Sequence, residues 1–247
     1  MNYLILIASL VFGLIIGSFL NVVIFRLRKK ESLLFKRSYC PRCKKKLKVW
    51  ELIPVLSFLI LKGRCSHCHR KIAWQYPLVE LATALAFATV YLRFGFSLKT
   101  GYLIVLAGFL ILIFVFDLKY YLIPDWFVWP AIILALLGSY FVMHLSIYNL
   151  LWGILISGGF FLCLLLITKG KGMGMGDVKL GILVGSILAF PQIILVLFLA
   201  FILGGITGGI LLLTKKKKRT DLIPFAPFLV LATFLILLWE PAIKNWF

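Results

Sequence analysis

Acidic residues are scarce in this sequence, since 8 Asp and Glu stand against 27 Lys and Arg among 247 residues. Charged residues make up 14% of the chain and hydrophobic residues 63%, whereas a soluble domain is about a quarter charged and about half apolar. This deficit of charge excludes an ordinary soluble globular protein. The excess of basic residues does not indicate nucleic-acid binding, because the sequence has no soluble basic domain with interleaved aromatic residues.

The apolar residues are gathered in runs, most of which are long enough to cross the hydrocarbon core of a bilayer. The first run lacks a basic n-region and a small-residue cleavage site, so we interpret it as a retained span and not as a signal peptide. Pro191 separates the short sixth run from the seventh, because proline cannot continue a helix without losing a hydrogen bond. The sequence therefore predicts an all-α polytopic membrane protein with about eight transmembrane helices. The runs are 2–25, 77–93, 100–116, 126–143, 149–168, 178–190, 192–213 and 225–240.

The basic residues predict which side of the membrane each loop faces. The loop 26–71 alone holds 15 Lys and Arg. If this loop is cytoplasmic and the spans alternate, 24 of the 27 basic residues lie inside, as the positive-inside rule requires. We therefore expect the N-terminus outside and, with eight spans, the C-terminus outside as well. The other inner basic residues are Lys119, Lys169, Lys171, Lys179 and Lys215 to Arg219.

Four of the 5 cysteines form two C-x-x-C pairs in this loop. Cys40 and Cys43 are separated from Cys65 and Cys68 by 21 residues. Four thiolates at this spacing can hold one tetrahedral zinc, and a closed site of this kind folds a loop too short for its own core. Redox-active or lipidated thiols are the alternative. His67 and His69 could replace a cysteine ligand but are more simply surface residues, and Cys163 is expected to pack inside a span.

Two of the 8 carboxylates stand at the same predicted membrane face. Asp117 ends the third apolar run, and Asp177 follows the segment Gly172-Met-Gly-Met-Gly176. Two convergent carboxylates can share a proton and carry out acid–base hydrolysis. The glycines permit close approach of backbone or substrate and allow positive φ. From the residues alone, a paired-aspartate protease, a proton relay in a transporter and structural helix ends all remain open.

The other carboxylates have simpler interpretations. Glu31 and Glu51 are expected to be solvated in the basic loop, and Asp125 is expected to be a helix N-cap. Glu80 lies just inside the second span, where it could either stabilise the start of the helix or have a functional role. Asp221 is expected to be a loop counter-charge, and Glu240 is expected near the outer end of the last span.

Several motifs, in order along nearly the whole chain, closely resemble the type IV prepilin peptidase family of Gly-x-Gly-Asp aspartic peptidases. Leu52, Gln75 and Ala226 stand where the family usually has asparagine, arginine and glycine. The matching stretches are Gly17-Ser-Phe-Leu-Asn-Val-Val-Ile-Phe-Arg-Leu27, Cys40-Pro-Arg-Cys43, Ile53-Pro54 with Ser57, Gly63-Arg-Cys-Ser-His-Cys68, Tyr76-Pro-Leu-Val-Glu80, Phe116-Asp117 through Leu122-Ile-Pro-Asp125, Gly174-Met-Gly-Asp-Val-Lys-Leu180 and Ile223-Pro-Phe-Ala-Pro-Phe-Leu229.

The resemblance implies that Asp117 and Asp177 are the catalytic pair and that Cys40, Cys43, Cys65 and Cys68 bind a structural zinc. It implies cleavage of the short basic leader of type IV prepilins or pseudopilins at the cytoplasmic face of a bacterial inner membrane. It also implies N-methylation of the new N-terminus with S-adenosylmethionine.

The implied domains are a first transmembrane helix at 1–25, a cytoplasmic zinc-binding loop at 26–76 and a transmembrane peptidase domain at 77–247. An ion- or proton-coupled transporter that uses the aspartates as a relay is the alternative, although no internal repeat supports it. A zinc-knuckle membrane scaffold would leave the Gly-rich aspartate motif without a role.

Overall fold

The structure, a computed structural model, describes residues 2–32, 37–170, 172–215 and 222–243. In these ranges it is all-helical, without a β-strand, as predicted; two isolated β-bridges, Tyr39 to Lys46 and Arg64 to Lys71, occur in the cysteine loop. Some residues with sequence-based predictions lie outside the described residues: Lys171, residues 216–219, Asp221, Lys244 and the side chain of Glu240.

The helices are α1 (Tyr3–Arg28), α2 (Leu56–Ile60), α3 (Gln75–Phe94), α4 (Leu98–Tyr120), α5 (Asp125–Phe141), α6 (Ile147–Ile167), α7 (Met175–Leu188), α8 (Gln192–Leu213) and α9 (Ala226–Ile243), with a 3₁₀ turn at Val49–Leu52.

A helix occupies each of the predicted apolar runs, but the helices differ in length. Five helices (α1, α3, α4, α6 and α8) are long and apolar enough to cross a membrane. Helix α5 has 17 residues and α7 has 14, which are fewer than the roughly 20 needed to cross a hydrocarbon core. The segment 178–213 forms two helices that are separated around Pro191. The count of eight spans therefore stays a prediction.

The chain divides into two compact units, Met1–Leu112 and Ile113–Phe247. In the first unit, α1 packs along α3 through small residues. A Cβ atom added to Gly13 would lie 2.5 Å from Ala84 Cα, and one added to Gly17 would lie 2.7 Å from Glu80 Cα. Only glycine permits backbones to come this close, which is the usual basis of helix association in lipid. The Gly-x-x-x-Gly spacing of α1 thus sets its register against α3.

In the second unit, α7 is the most enclosed helix. Nine of its 14 residues are buried, and it packs against α5, α6 and α9. The contact with α6 is again backbone to backbone, because a Cβ on Gly185 would lie 2.5 Å from both Gly153 O and Ser157 Oγ. The hydroxyl of Ser157 lies 2.7 Å from Gly181 O and 2.8 Å from Gly153 O, and donates a hydrogen bond in this interface. Interhelical hydrogen bonds of this kind stabilise membrane bundles by about 0.6 kcal/mol each.

Cys163 lies within helix α6, as predicted, but it is not the packing residue that we expected. Its side chain is exposed on α6, because it lies off the face of α6 that Gly153, Ser157 and Phe161 form.

We expect Gly153→Ala to destabilise the protein, because the new methyl group would lie 2.7 Å from Ala189 Cα and Gly185 O. Overpacking of a close interface costs about 1–3 kcal/mol, which would lower the thermal unfolding midpoint in detergent by several degrees. Gly159→Ala in the same helix is the control, since no neighbouring atom lies within 4 Å of its added Cβ. Equal unfolding midpoints for the two variants would contradict the packing described here.

Candidate active site and metal centre

The four loop cysteines come together in the first unit. The Sγ atoms of Cys40, Cys43, Cys65 and Cys68 all lie within 4.8 Å of one another, and those of Cys40 and Cys68 are 4.0 Å apart. Four sulfurs bound to zinc at about 2.3 Å would be about 3.8 Å from each other, so the cluster fits a tetrahedral zinc with little adjustment. His67 and His69 are exposed, and neither belongs to the cluster. The cluster could therefore hold zinc with cysteine ligands alone.

Backbone amides prepare one of these thiols for ionisation. Cys65 is buried, and hydrogen bonding from the backbone of Cys68 and His67 lowers its pKa to about 7 despite the burial. A thiolate is the form that binds a metal ion. The pKa of Cys43 moves in the opposite direction, to about 11, because the Lys45 backbone amide, which acts to lower it, is outweighed by burial and by two neighbouring cysteine thiols. The fit to zinc therefore rests on the positions of the four sulfurs.

Glu51 is buried, and the prediction that it is solvated was wrong. Its carboxylate accepts hydrogen bonds from the Lys48 amide at 2.5 Å and from the Ser66 hydroxyl. Burial acts to raise the pKa of Glu51, but the hydrogen bonds outweigh it and hold the pKa below its usual value. Glu51 thus ties the 3₁₀ turn to the second cysteine pair. Glu31 accepts a hydrogen bond from the hydroxyl of Tyr39 at 2.7 Å and is only partly exposed.

Asp117 and Asp177 line one cavity in the second unit. The cavity has a volume of about 780 Å³, which is in the usual range of ligand sites. The remaining lining comes from three chain segments, which contribute residues 121–126, then Gly170, Gly172, Met173, Gly174 and Gly176, and then residues 222–225.

A backbone amide holds each of these carboxylates. Ala226 N, at the start of α9, donates to Asp117 Oδ2 at 3.1 Å. Gly174 N donates to Asp177 Oδ2 at 3.1 Å, so Asp177 reaches back across the first turn of α7 as the acidic residue of a capping box does. One oxygen of each carboxylate is thus committed to backbone, which fixes the side chain and leaves the second oxygen available to water.

The glycines before Asp177 serve close approach and not unusual backbone geometry. A Cβ on Gly176 would lie 3.2 Å from the Ile123 side chain across the cavity wall. Gly174 has φ −95°, and among the described glycines positive φ occurs only at Gly63, Gly95 and Gly170. The described glycines of the segment 172–176 thus do not use the positive φ that glycine permits.

Asp125 is not a helix N-cap, because Pro124 occupies that position of α5. Its Oδ1 atom instead lies 2.5 Å from Lys179 Nζ, and Asp125 also lines the cavity. The ion pair joins the segment that follows Asp117 to the helix that begins at Met175. Sequence reasoning missed this pair, since Asp125 and Lys179 are 54 residues apart and no local pattern connects them.

Glu80 anchors the cysteine loop. It is buried in α3, and its Oε2 atom accepts a hydrogen bond from Val55 N at 2.8 Å. Nearby, Asn21 of α1 donates to Tyr76 O at 3.0 Å and accepts from Gln75 Nε2 at 3.3 Å. These polar contacts join the motifs around residues 17–21 and 76–80 inside the first unit.

The apolar helices, the paired carboxylates and the cysteine cluster define a multi-pass membrane protein with features of a hydrolytic enzyme. A family model described as the bacterial peptidase A24 N-terminal domain matches residues 11–94, and one described as the type IV leader peptidase family matches residues 104–209. The chain belongs to the type IV leader peptidase family.

Known relatives cover almost the whole chain. A prepilin leader peptidase/N-methyltransferase of Pseudomonas aeruginosa is 33% identical over 96% of this chain and 91% of its own length. Proteins of the same name from Stutzerimonas stutzeri and Bacillus subtilis are 33% and 34% identical, over 94% and 96% of this chain and 89% and 95% of their own lengths. No solved structure gives a significant match.

We expect the purified chain to contain about one zinc ion, because the four sulfur atoms fit one tetrahedral site. Replacing Cys65 and Cys68 by serine should remove the metal, whereas Cys163→Ser should leave it, since Cys163 is not one of the four clustered cysteines. Metal analysis of the purified variants measures both. Full activity and an intact loop in a zinc-free preparation would contradict this assignment.

Proposed function

We propose that this chain is a membrane aspartic endopeptidase that removes the leader peptide from type IV prepilins or pseudopilins. The observation that carries the proposal is the shared cavity of Asp117 and Asp177, each held by a backbone amide. Family membership and the name of the relatives support the reaction. Neither the family nor the names of the relatives support the alternative of a transporter.

Asp117 and Asp177 are the proposed catalytic pair. One carboxylate removes a proton from a water molecule, whose oxygen attacks the scissile carbonyl, while the protonated partner donates its proton to the carbonyl oxygen. The carboxyl that took the proton from water then gives it to the amine nitrogen. The other carboxylate takes a proton from a hydroxyl of the resulting diol, and the C–N bond breaks, which restores the starting protonation of the pair. Two neighbouring carboxyl groups share one proton in this way because both cannot ionise at short range.

The cavity supports a substrate with an extended segment at the scissile bond. Its wall combines the two acidic groups with apolar side chains, among them Leu122, Ile123, Trp126 and Phe225. A prepilin has a basic leader followed by an apolar helix, so both parts of such a substrate would find complementary groups. We propose prepilins and pseudopilins as the class of substrate.

The positive-inside rule supports a cytoplasmic active site with both termini outside. In this arrangement the domains are the first span at 1–25, the zinc loop at 26–76 and the peptidase at 77–247. The cysteine cluster would hold a structural zinc, which stabilises the loop and takes no part in hydrolysis.

N-methylation of the new N-terminus is proposed from the relatives' shared name. S-adenosylmethionine would supply the methyl group for such a transfer to the amine. No described residue singles out a site for it. Incubation of a purified prepilin with the enzyme, with and without this methyl donor, followed by mass spectrometry, tests both activities at once.

We expect Asp117→Asn and Asp177→Asn each to lower leader cleavage about a hundredfold or more, the range of general acid–base contributions. An asparagine keeps an oxygen that can accept from Ala226 N or Gly174 N, so each variant should insert and retain its zinc. Mass spectrometry of a prepilin incubated with each variant measures the loss. Normal processing by either variant would remove that residue from the pair.

We expect the ion pair between Lys179 and Asp125 to position the two aspartate segments. Because the Asp125 side chain is 59% exposed, the pair is worth at most about 1 kcal/mol, so Lys179→Gln and Asp125→Asn should each lower the cleavage rate by about fivefold or less. The double variant should lose little more than either single variant, because the pair acts as one contact. Additive losses would mean that the two residues act separately.

A further inference from the structure

The short helix α2 exposes an apolar face in the middle of the basic loop. Leu56, Leu59 and Ile60 are 57%, 63% and 68% exposed, and together they form what we call the α2 face. Val49 and Trp74 nearby are 86% and 70% exposed. Soluble surfaces rarely gather large apolar side chains in this way, and a gathering of this kind indicates a partner or a membrane.

A hydrogen bond holds α2 at the level of the bilayer boundary. Val55, the residue before α2, donates its amide to Glu80, which is five residues beyond the start of α3 at Gln75. At 1.5 Å per residue, Glu80 lies about 7.5 Å inside the end of that helix. Helix α3 has 20 residues, just enough to cross a hydrocarbon core of about 30 Å. If α3 crosses the membrane over this length, the hydrogen bond from Val55 to Glu80 places the α2 face beside lipid and not out in water.

Phe58 and Trp74 strengthen this placement. Their ring centroids are 5.1 Å apart, so α2 is also packed against the residue that precedes α3. Tryptophan is enriched where a helix passes from lipid into water. Both contacts tie the loop to the end of the same membrane helix.

A cavity of about 650 Å³ lies at the end of α2, and it combines cations with apolar groups. Lys62 and Arg64 line it together with Cys65, Ser66 and His69, and Ile60 and Leu61 supply the apolar part of the wall. The cationic groups of Lys and Arg side chains bind the oxygens of a phosphate group. Ile60 belongs both to this cavity and to the α2 face, so polar and apolar recognition are continuous.

We propose that this part of the loop binds an anionic phospholipid of the bilayer, with its phosphate in the cavity near Lys62 and Arg64 and its acyl chains along the α2 face. The charge of the loop fits this occupant: residues 37–74 contain 10 Lys and Arg and a single acidic residue, Glu51, whose carboxylate is buried and hydrogen-bonded. A basic leader peptide would be repelled by the same surface. The inference rests on the membrane placement of α1 and α3 and is independent of the proposed aspartate chemistry.

Hydrogen–deuterium exchange of the full chain in lipid nanodiscs tests the proposal. Amides of residues 49–64 are compared in nanodiscs of phosphatidylcholine alone and in nanodiscs that also contain phosphatidylglycerol. We expect exchange in this segment to slow about tenfold or more with phosphatidylglycerol, since each cation near an anionic surface strengthens binding severalfold. The comparison needs no variant, so it does not depend on whether a variant folds.

Two matched double variants then locate the interaction. Lys62→Gln with Arg64→Gln should abolish the effect of phosphatidylglycerol, because it removes the cations of the cavity. Arg42→Gln with Lys45→Gln removes the same charge from the first cysteine pair, outside the cavity lining, and should retain the effect. Zinc content, measured in each preparation, reports whether the loop is folded.

Three results would overturn the proposal. Equal protection in both kinds of nanodisc would mean that no anionic headgroup is recognised, and equal loss in both double variants would mean that only overall charge matters. Protection that appears only after addition of a prepilin would make the α2 face a docking site for protein. Because leader cleavage is measured separately, none of these results bears on the catalytic pair.

Discussion

Two backbone hydrogen bonds fix two carboxylates on one cavity, and the proposed chemistry depends on them. Ala226 N holds Asp117, and Gly174 N holds Asp177. The second bond has a fixed position only because α7 is fixed, and α7 is fixed by its backbone contact with α6 at Gly153 and Gly185. Gly153 and Gly185, inside the bundle, thus determine the position of the Asp177 carboxylate at its edge. A hydrolytic pair requires carboxylates that are held in fixed positions.

The cysteine loop follows a similar logic in the first unit. It is too short for a hydrophobic core, so its structure depends on a few specific polar bonds and on the cysteine cluster. Glu51 joins its 3₁₀ turn to the second cysteine pair, and Glu80 joins it to α3. A zinc ion bound by the four sulfurs would add the largest single constraint. These contacts make the loop an ordered part of the membrane-embedded unit.

Much of this could be predicted from the sequence, because hydropathy and metal-ligand spacing are local signals. The helical fold and the gathering of the four cysteines were predicted correctly. The environments of Glu51 and Asp125 were not, because each is decided by a partner distant in the chain, Ser66 or Lys179. The length of α7 was also hard to predict, because its apolar residues are buried by neighbouring helices and hydropathy cannot distinguish this from burial in lipid. The catalytic roles of Asp117 and Asp177 stay predictions, which their shared cavity supports.

In the proposed mechanism, two carboxylates activate a water molecule for direct attack on the scissile carbonyl. Single-turnover cleavage of a prepilin in water labelled with heavy oxygen tests it, with the isotope content of the released leader read by mass spectrometry. Direct attack by water should place one heavy oxygen in the new carboxylate of the leader and none in the enzyme. Transfer of an unlabelled carboxylate oxygen from Asp117 or Asp177 to the leader, with label left in the enzyme, would contradict it.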